Sequence, residues 1–354
     1  MTKIANVVGA RPQFIKAGPI SKALARAGVE EVLVHTGQHY DPLMSQKIMR
    51  DIGLREPDFN LGVGSASHGM QTAAMLQGVE AVLEANQIDA VLVYGDTNST
   101  IAGALAAAKL GVFTGHIEAG LRSFNRRMPE ELNRVATDHL SDLLFAPTAN
   151  AMEHLRREGL GSRAVLTGDV MVDALRSVDL TSVRIPDWAS GDYYIATIHR
   201  AENTDDAARL QAILHSLDQV DMPVHLLSHP RLRERLIATG FEPNQALQIH
   251  APLPYAEMLA TLEASAGLYT DSGGLQKEAF ILGVRCVTIR AETEWPETLE
   301  GSWNVLAESE ENLAIRMKRE VVAIKDNPFG NGDAAVSIVR HLIERLGWTG
   351  DIDG

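Results

Sequence analysis

Apolar residues recur along this chain in two rhythms. Short runs rich in Val, Ile and Leu alternate with longer stretches in which apolar positions return every three or four residues. The first rhythm is that of strands buried on both faces and the second that of amphipathic helices, so their alternation predicts a parallel sheet covered by helices on both sides. Strands are expected at 3–8, 31–36, 90–95, 112–117, 142–146 and 164–168, and again at 193–198, 224–228, 247–250, 267–270, 285–289 and 304–306. Two such sets predict two doubly wound domains. A closed eightfold barrel alternates in the same way, but the polar stretch 177–192, with Pro186 and Gly191, breaks the pattern near the middle. The expected domains are therefore 1–168 and 169–354, with the boundary near 169–190. A last helix at 334–346, ending at Gly347, is free to pack back on the first domain.

Composition narrows the function classes. The chain has 354 residues, 45% of them hydrophobic, and a single cysteine, Cys286, which excludes a disordered chain and a disulfide scaffold and suits a cytoplasmic address. No apolar run approaches the length of a membrane span, and the opening MTKIANVVGARP reads as a first strand rather than a signal peptide. The 32 Lys and Arg against 46 Asp and Glu give a net charge of −14, which argues against a nucleic-acid surface. An anionic small ligand in a locally basic pocket is still compatible with that balance.

In doubly wound sheets, ligands bind beyond the carboxyl ends of the strands, so the residues just after each strand carry the candidate chemistry. The first strand is followed by Gly9-Ala10-Arg11-Pro12-Gln13-Phe14-Ile15-Lys16. Here Gly9 would permit a tight turn, and a helix start with free N–H groups beside Arg11 and Lys16 would attract an anion. Asp96 follows the strand at 90–95, where it is either a helix N-cap or a chemical group. Glu118 follows the next strand, and Glu130 lies at the helix start Pro129-Glu130-Glu131. Convergence of these three carboxylates would raise one another's pKa, as proton transfer near neutral pH requires.

The second half offers His199-Arg200, then His229-Pro230-Arg231, then Thr270-Asp271-Ser272-Gly273-Gly274 with Glu278 one turn further on. The two glycines would let the backbone approach a phosphate, and Glu278 could hold ribose hydroxyls. Metal binding is disfavoured, because the pairs His35/His39 and His225/His229 straddle strand ends instead of sharing a helix face, and no Cys-x-x-Cys is present. Cys286 sits in an apolar strand as an inert core residue. Neither a Gly-x-Gly-x-x-Gly turn after the first strand nor a P-loop occurs.

The ordered motifs GARPQFIK, TGQHYD, GDTNST, HIEAGLRS, PEELNR, HRAEN, HPR and TDSGGLQKEA, spread over 11–306, resemble the non-hydrolysing UDP-N-acetylglucosamine 2-epimerases. That resemblance implies a glycosyltransferase-B-like pair of Rossmann-like domains facing a central cleft, a UDP-sugar substrate, no cofactor and a homodimer. It assigns Arg11 to the uracil, Lys16 to the diphosphate, Ser272, Gly273 and Gly274 to the phosphates and Glu278 to the ribose. Asp96, Glu118, Glu130 and His199 match the family's catalytic group, with Arg200 and His229 as further substrate contacts. The implied reaction removes the C2 proton, expels UDP anti across C1–C2 to give 2-acetamidoglucal, and re-adds UDP with a proton delivered to the opposite face of C2.

Two positions depart from the family pattern. A common Thr-Glu-Arg-Pro-Glu is Thr293-Glu294-Trp295-Pro296-Glu297 here, and an Arg-Gln pair that helps bind an activator in some members is Met70-Gln71. The Trp also resembles the branch that acts on UDP-2,3-diacetamido-2,3-dideoxyglucuronic acid. That sugar is the alternative substrate. A hydrolysing epimerase that releases UDP, a retaining glycosyltransferase and a silent nucleotide-sugar sensor are the competing functions.

Overall fold

The computed structural model describes residues 2–38, 49, 50, 52–243, 246–308, 313–323 and 327–348, apart from the side chains of Pro230 and Arg231. His39, Tyr40 and Asp41 of the TGQHYD motif lie outside the described residues. The chain forms two compact units, Met1–Val178 with Asn327–Gly354, and Asp179–Asp326. Residues 169–178 and 327–354, placed in the second domain by the strand pattern, thus belong to the first unit.

The first unit is a parallel sheet of β1 (Lys3–Val8), β2 (Glu30–His35), β3 (Phe59–Asn60), β4 (Ala90–Tyr94), β5 (Phe113–Ile117), β6 (Leu143–Ala146) and β7 (Ala164–Leu166), in the order β3-β2-β1-β4-β5-β6-β7. The edge strand β3 has two residues and leaves no apolar run to recognise in sequence. Elsewhere the strands fall where the apolar runs place them, because every residue of β4 and β6 is buried. Ala5, Val7, Val91 and Val93 face a core shared with Val79 and Val82 of the helix His68–Asn86 and with Ala104 and Ala107 of the helix Asn98–Leu110.

The second unit repeats the scheme with β8 (Tyr194–Thr197), β9 (Val224–Leu227), β10 (Leu247–His250), β11 (Gly267–Thr270), β12 (Cys286–Thr288) and β13 (Asn304–Leu306), ordered β10-β9-β8-β11-β12-β13 and parallel throughout. Alternate residues of β8 enter separate cores, Tyr194 and Ala196 on one face and Ile195 on the other. Both sheets therefore bury both faces, as all-parallel sheets do.

Strand order reverses between β1 and β4 in one unit and between β8 and β11 in the other. Such reversals open a crevice at the strand ends, which is where doubly wound sheets bind ligands. The segments leaving these four strands carry Gly9–Lys16, Gly95-Asp96, His199-Arg200 and Asp271–Gly274.

The last helix, Ala334–Leu346, packs on the helices Arg11–Arg26 and Val170–Arg176 of the first unit. Its own N-cap residue, Asp333, makes no side-chain cap bond. Instead, the carboxylate of Asp173 accepts hydrogen bonds from the N–H groups of Ala335 (2.9 Å) and Ala334 (3.3 Å). A residue distant in sequence thus satisfies the orphan donors of that helix.

Candidate active site

At the reversal in the first unit, Gln13 is the hub. Its Oε1 accepts from the N–H groups of Gly9 (2.8 Å) and Ala10 (3.0 Å), while its Nε2 donates to the carbonyl of Tyr94 (2.9 Å) and to Thr100 Oγ1 (3.0 Å). The N–H groups of Gly9 and Ala10, just before the helix start expected to attract an anion, are thus filled by the protein itself. Gly9 also has a different reason from the tight turn expected of it. Its φ is not left-handed, and a side chain there would collide with Ser99 and Thr36.

Asp96 is not the N-cap of the helix that follows. Thr97 holds that position in a capping box with Thr100, and the Asp96 carboxylate instead accepts from Arg134. Arg134 is buried and also reaches Glu131 at 3.1 Å, while Asn133 donates to the Asp96 carbonyl at 3.0 Å. The helix Pro129–Leu140 therefore docks its first turns on the end of β4. Of its two leading carboxylates, Glu131 is buried and accepts from the N–H groups of Ser123 and Phe124, both at 2.9 Å. Glu130 is exposed and makes no hydrogen bond or ion pair among the described residues. This division of labour between neighbours was invisible in the Glu-Glu dipeptide.

Glu118 leaves β5 with φ at 70°, in the left-handed region that a non-glycine residue enters at a cost. The conformation turns its carboxylate onto Lys16, with which it forms an ion pair. A Cβ built on Gly95 would lie 3.8 Å from Lys16 Nζ and 3.9 Å from Glu118 Oε1, so the pair sits over the turn that carries Asp96. Three of the residues expected to act together, Lys16, Asp96 and Glu118, are thus gathered at one strand-end turn. Each of the two carboxylates faces its own cation, so the mutual repulsion expected of converging carboxylates is answered locally.

His116 braces this turn from beneath. Its Nε2 lies 2.8 Å from the Gly95 carbonyl and its Nδ1 2.7 Å from Asp138, both fully buried. Burial would raise the Asp138 carboxyl, but the contacts from His116 and Arg122 hold it below its ordinary value.

The second unit builds its site around Asp271, which sequence reading passed over in favour of the serine and glycines after it. Asp271 is fully buried and accepts from the N–H groups of His199 (3.1 Å) and Arg200 (3.0 Å) and from Asn203 Nδ2 (3.0 Å). His199 Nδ1 also lies 3.0 Å from it, although that side chain is 55% exposed. Burial pushes the Asp271 carboxyl up, and these donors, His199 first, outweigh it and leave it below the usual range. Arg200 donates through Nε to the Asp271 carbonyl at 3.0 Å and lies 3.5 Å from Glu294.

Ser272 caps the helix Gly273–Leu282 by accepting from Leu275 N–H at 3.4 Å. The two glycines after it differ. A Cβ at Gly273 would run into the Glu294 carboxylate and lie 3.5 Å from Trp295 Nε1, whereas at Gly274 only Ser272 Oγ is near, at 3.9 Å. The open backbone expected at both is present at Gly274, while Gly273 makes room for Glu294. That carboxylate is held 2.8 Å from the buried Arg290. Glu278 is 4% exposed, and Lys277, 2% exposed, lies 3.7 Å from the centre of the Trp295 ring. Trp295 is therefore a packed partner of a lysine.

Arg11 opens the helix Arg11–Arg26. His229 is exposed at the N-cap of the helix Pro230–Thr239, whereas His225 is buried at 2.9 Å from His250, so the two members of that histidine pair point to different surroundings. Gln71 is buried and bonded to Gly64 and Asn98, and Met70 is exposed. Among the described residues, no three His, Cys, Asp or Glu side chains group as a metal site, and no helix is long and apolar enough to cross a membrane.

Comparison with known proteins adds to this geometry. The family model described as UDP-N-acetylglucosamine 2-epimerase matches residues 22–343. The UDP-2,3-diacetamido-2,3-dideoxy-D-glucuronate 2-epimerase of Pseudomonas aeruginosa is 44% identical over 96% of this chain and 99% of its own. A UDP-N-acetylglucosamine 2-epimerase of Methanococcus maripaludis is 40% identical over 96% and 98%. The crystal structure of the Methanocaldococcus jannaschii UDP-GlcNAc 2-epimerase with UDP-GlcNAc and UDP superimposes with a TM-score of 0.89 at 38% identity, covering 97% of this chain and 100% of that one. Matched along nearly its whole length in both sequence and fold, the chain belongs to the UDP-N-acetylglucosamine 2-epimerase family.

Proposed function

We propose that this protein interconverts UDP-N-acetylglucosamine and UDP-N-acetylmannosamine without hydrolysis. The observation that carries this reading is the strand-end group in which the Glu118–Lys16 pair lies over the turn bearing Asp96, with Glu130 exposed at the start of the helix that anchors Asp96. A C2 proton beside an acetamido group is weakly acidic, so its removal must be coupled to departure of a stabilised leaving group. A carboxylate of the first unit takes the C2 proton, the C–H electrons form the C1–C2 double bond, and the C1–O bond breaks with its electrons leaving on UDP. In the return step UDP oxygen attacks C1, and a second carboxyl group delivers a proton to the other face of C2.

The second unit serves the departing diphosphate. His199 and Arg200 present an imidazole and a guanidinium at the end of β8, and the helix Gly273–Leu282 points its N-terminus, with the open Gly274 backbone and the Ser272 hydroxyl, at the same strand ends. Arg11 and Glu278 are assigned to the uracil and the ribose by family resemblance, and His229 to a further substrate contact.

Turnover in D₂O tests the reaction. Deuterium is expected at C2 of both epimers, and retention of hydrogen there would sink the elimination route. Free UDP accumulating in step with product would identify a hydrolysing enzyme instead. A second substrate reading, the diacetamido uronate, is favoured by the 44% identity to an enzyme named for that sugar and by the sequence resemblance of Trp295 to that branch. NMR assays of both sugars side by side separate the two.

The protein is further proposed to work as a cytoplasmic homodimer. Its single thiol, Cys286, is buried and suits a reducing compartment. In the first unit Met70 and Leu132 are exposed, and Leu132 lines a pocket of about 480 Å³ with Leu76 and Pro129; a second copy would cover these apolar side chains. Light scattering of M70D/L132D tests this, since a mass unchanged from wild type would count against that surface.

A further inference from the structure

We propose that Asp271 is a positioning residue for His199, holding the imidazole with its Nδ1 proton directed inward and Nε2 outward in both charge states of the ring. The inference rests on the reading that His199 serves the departing UDP, and it concerns how that histidine is kept ready. The two residues come from the strands that flank the reversal in the second sheet, His199 just after β8 and Asp271 just after β11.

The geometry separates the two carboxylate oxygens by role. Oδ2 accepts from Arg200 N–H at 3.0 Å and from Asn203 Nδ2 at 3.0 Å, both of which can only donate. Oδ1 faces His199 Nδ1 at 3.0 Å. The His199 N–H lies 3.1 Å from each oxygen. A carboxylate in this setting is an acceptor only, so a neutral ring with its lone pair on Nδ1 would set two acceptors against each other. The proton therefore stays on Nδ1, and Nε2 is the nitrogen that gains or loses one. Because Asp271 is fully buried while the His199 side chain is 55% exposed, the fixed end of the pair lies inside and the working nitrogen faces out. Backbone bonds to both His199 and Arg200 mean that the same carboxylate also fixes the place from which the two side chains start.

This assignment makes an isosteric test informative. In D271N the amide oxygen is drawn to the Oδ2 position, where Arg200 N–H and Asn203 Nδ2 demand an acceptor. That places the amide NH₂ opposite His199 Nδ1 and forces the neutral ring to carry its proton on Nε2. The segment keeps its backbone ties while the tautomer inverts.

The experiment is ¹⁵N NMR of the ring nitrogens of His199 in the full-length wild type and in D271N, with steady-state kinetics of both. In the wild type Nδ1 is expected to stay protonated across the titration while Nε2 alone changes; in D271N, once the ring is neutral, the pattern reverses. With it kcat should fall about 10²–10⁴-fold, the upper end being the scale of an inverted tautomer in a catalytic triad, while KM moves by a few-fold. A neutral wild-type ring protonated on Nε2 overturns the proposal, and that measurement stands even if D271N fails to fold. An inverted ring in D271N with wild-type kcat overturns it as well. Wild-type kcat in H199Q would instead remove the role of His199 on which the proposal rests, whatever the nitrogens show.

Discussion

Lys16 and Glu118 have 7% and 10% of their side-chain surface exposed and form an ion pair in a setting where an unpaired charge is costly. On the proposed reading, this carboxylate, paired with a cation and raised on a left-handed backbone, exchanges a proton with the bound sugar. Glu118→Gln keeps the shape and removes the base, and kcat is expected to fall about 10²–10⁴-fold, with deuterium wash-in at C2 falling in parallel. The glycines after Ser272 separate structural from ligand-directed need. Gly273→Ala forces Glu294 off its seat and should cost about 1–3 kcal/mol in chemical denaturation, whereas Gly274→Ala should leave stability within about 0.5 kcal/mol and raise KM. An equal loss of stability in both variants would show that neither backbone is kept open for a ligand. Burial pushes the Cys286 thiol up to about 12. It should therefore stay unlabelled by a thiol reagent at pH 8 until denaturant is added.

At the scale of the element, the last helix depends on a carboxylate that strains to stay ionised. Burial first, and the charge of Asp333 in addition, push Asp173 up to about 6, against the pull of the Ala335 and Ala334 N–H groups. A carboxyl raised above its unfolded value contributes stability that is fully present below about pH 4 and lost as pH rises through 6. Asp173→Asn retains an acceptor for the helix and cannot ionise. Relative to wild type its Tm should therefore rise between pH 4.5 and pH 7.5, and a constant difference across that range would refute the argument. The pair on β9 and β10 behaves in the opposite sense. Burial, aided by its neighbour His250, pushes His225 down to about 4, so the second unit loses stability as pH falls from about 6.5 towards 4.

For the whole molecule, the chain leaves the first unit once and returns to it, and its end completes a core it did not begin. Ile338, Val339 and Leu342 are fully buried on the final helix. Leu342→Asp should release that helix, and hydrogen exchange should then quicken in Arg11–Arg26 and Val170–Arg176, which it covers, before it does in β8–β11. Early loss of protection in β8–β11 instead would mean that the return of the chain stabilises something other than the first unit. The excess of acidic residues belongs to this scale as well. In a chain of net charge −14, Lys16 and Arg134 of the first unit and Arg200 and Arg290 of the second are each paired with a carboxylate near the strand ends of their own sheet.

Strand positions, the doubly wound class and the residues that leave each strand were legible in the sequence, because burial on both faces writes itself as apolar runs and a turn after each run is where polar groups are free to act. Lys16, Asp96, Glu118, His199 and the Ser272 turn could be named as candidates on that basis. What the linear pattern could not contain was pairing across distance. Asp96 with Arg134, Glu118 with Lys16, His199 with Asp271 and the last helix with Asp173 join residues that no spacing relates, and the chain's return to the first unit is equally non-local. A carboxylate's neighbours, not its place in the chain, decide whether it caps a helix, braces a turn or moves a proton, and those neighbours exist only once the sheet order is set.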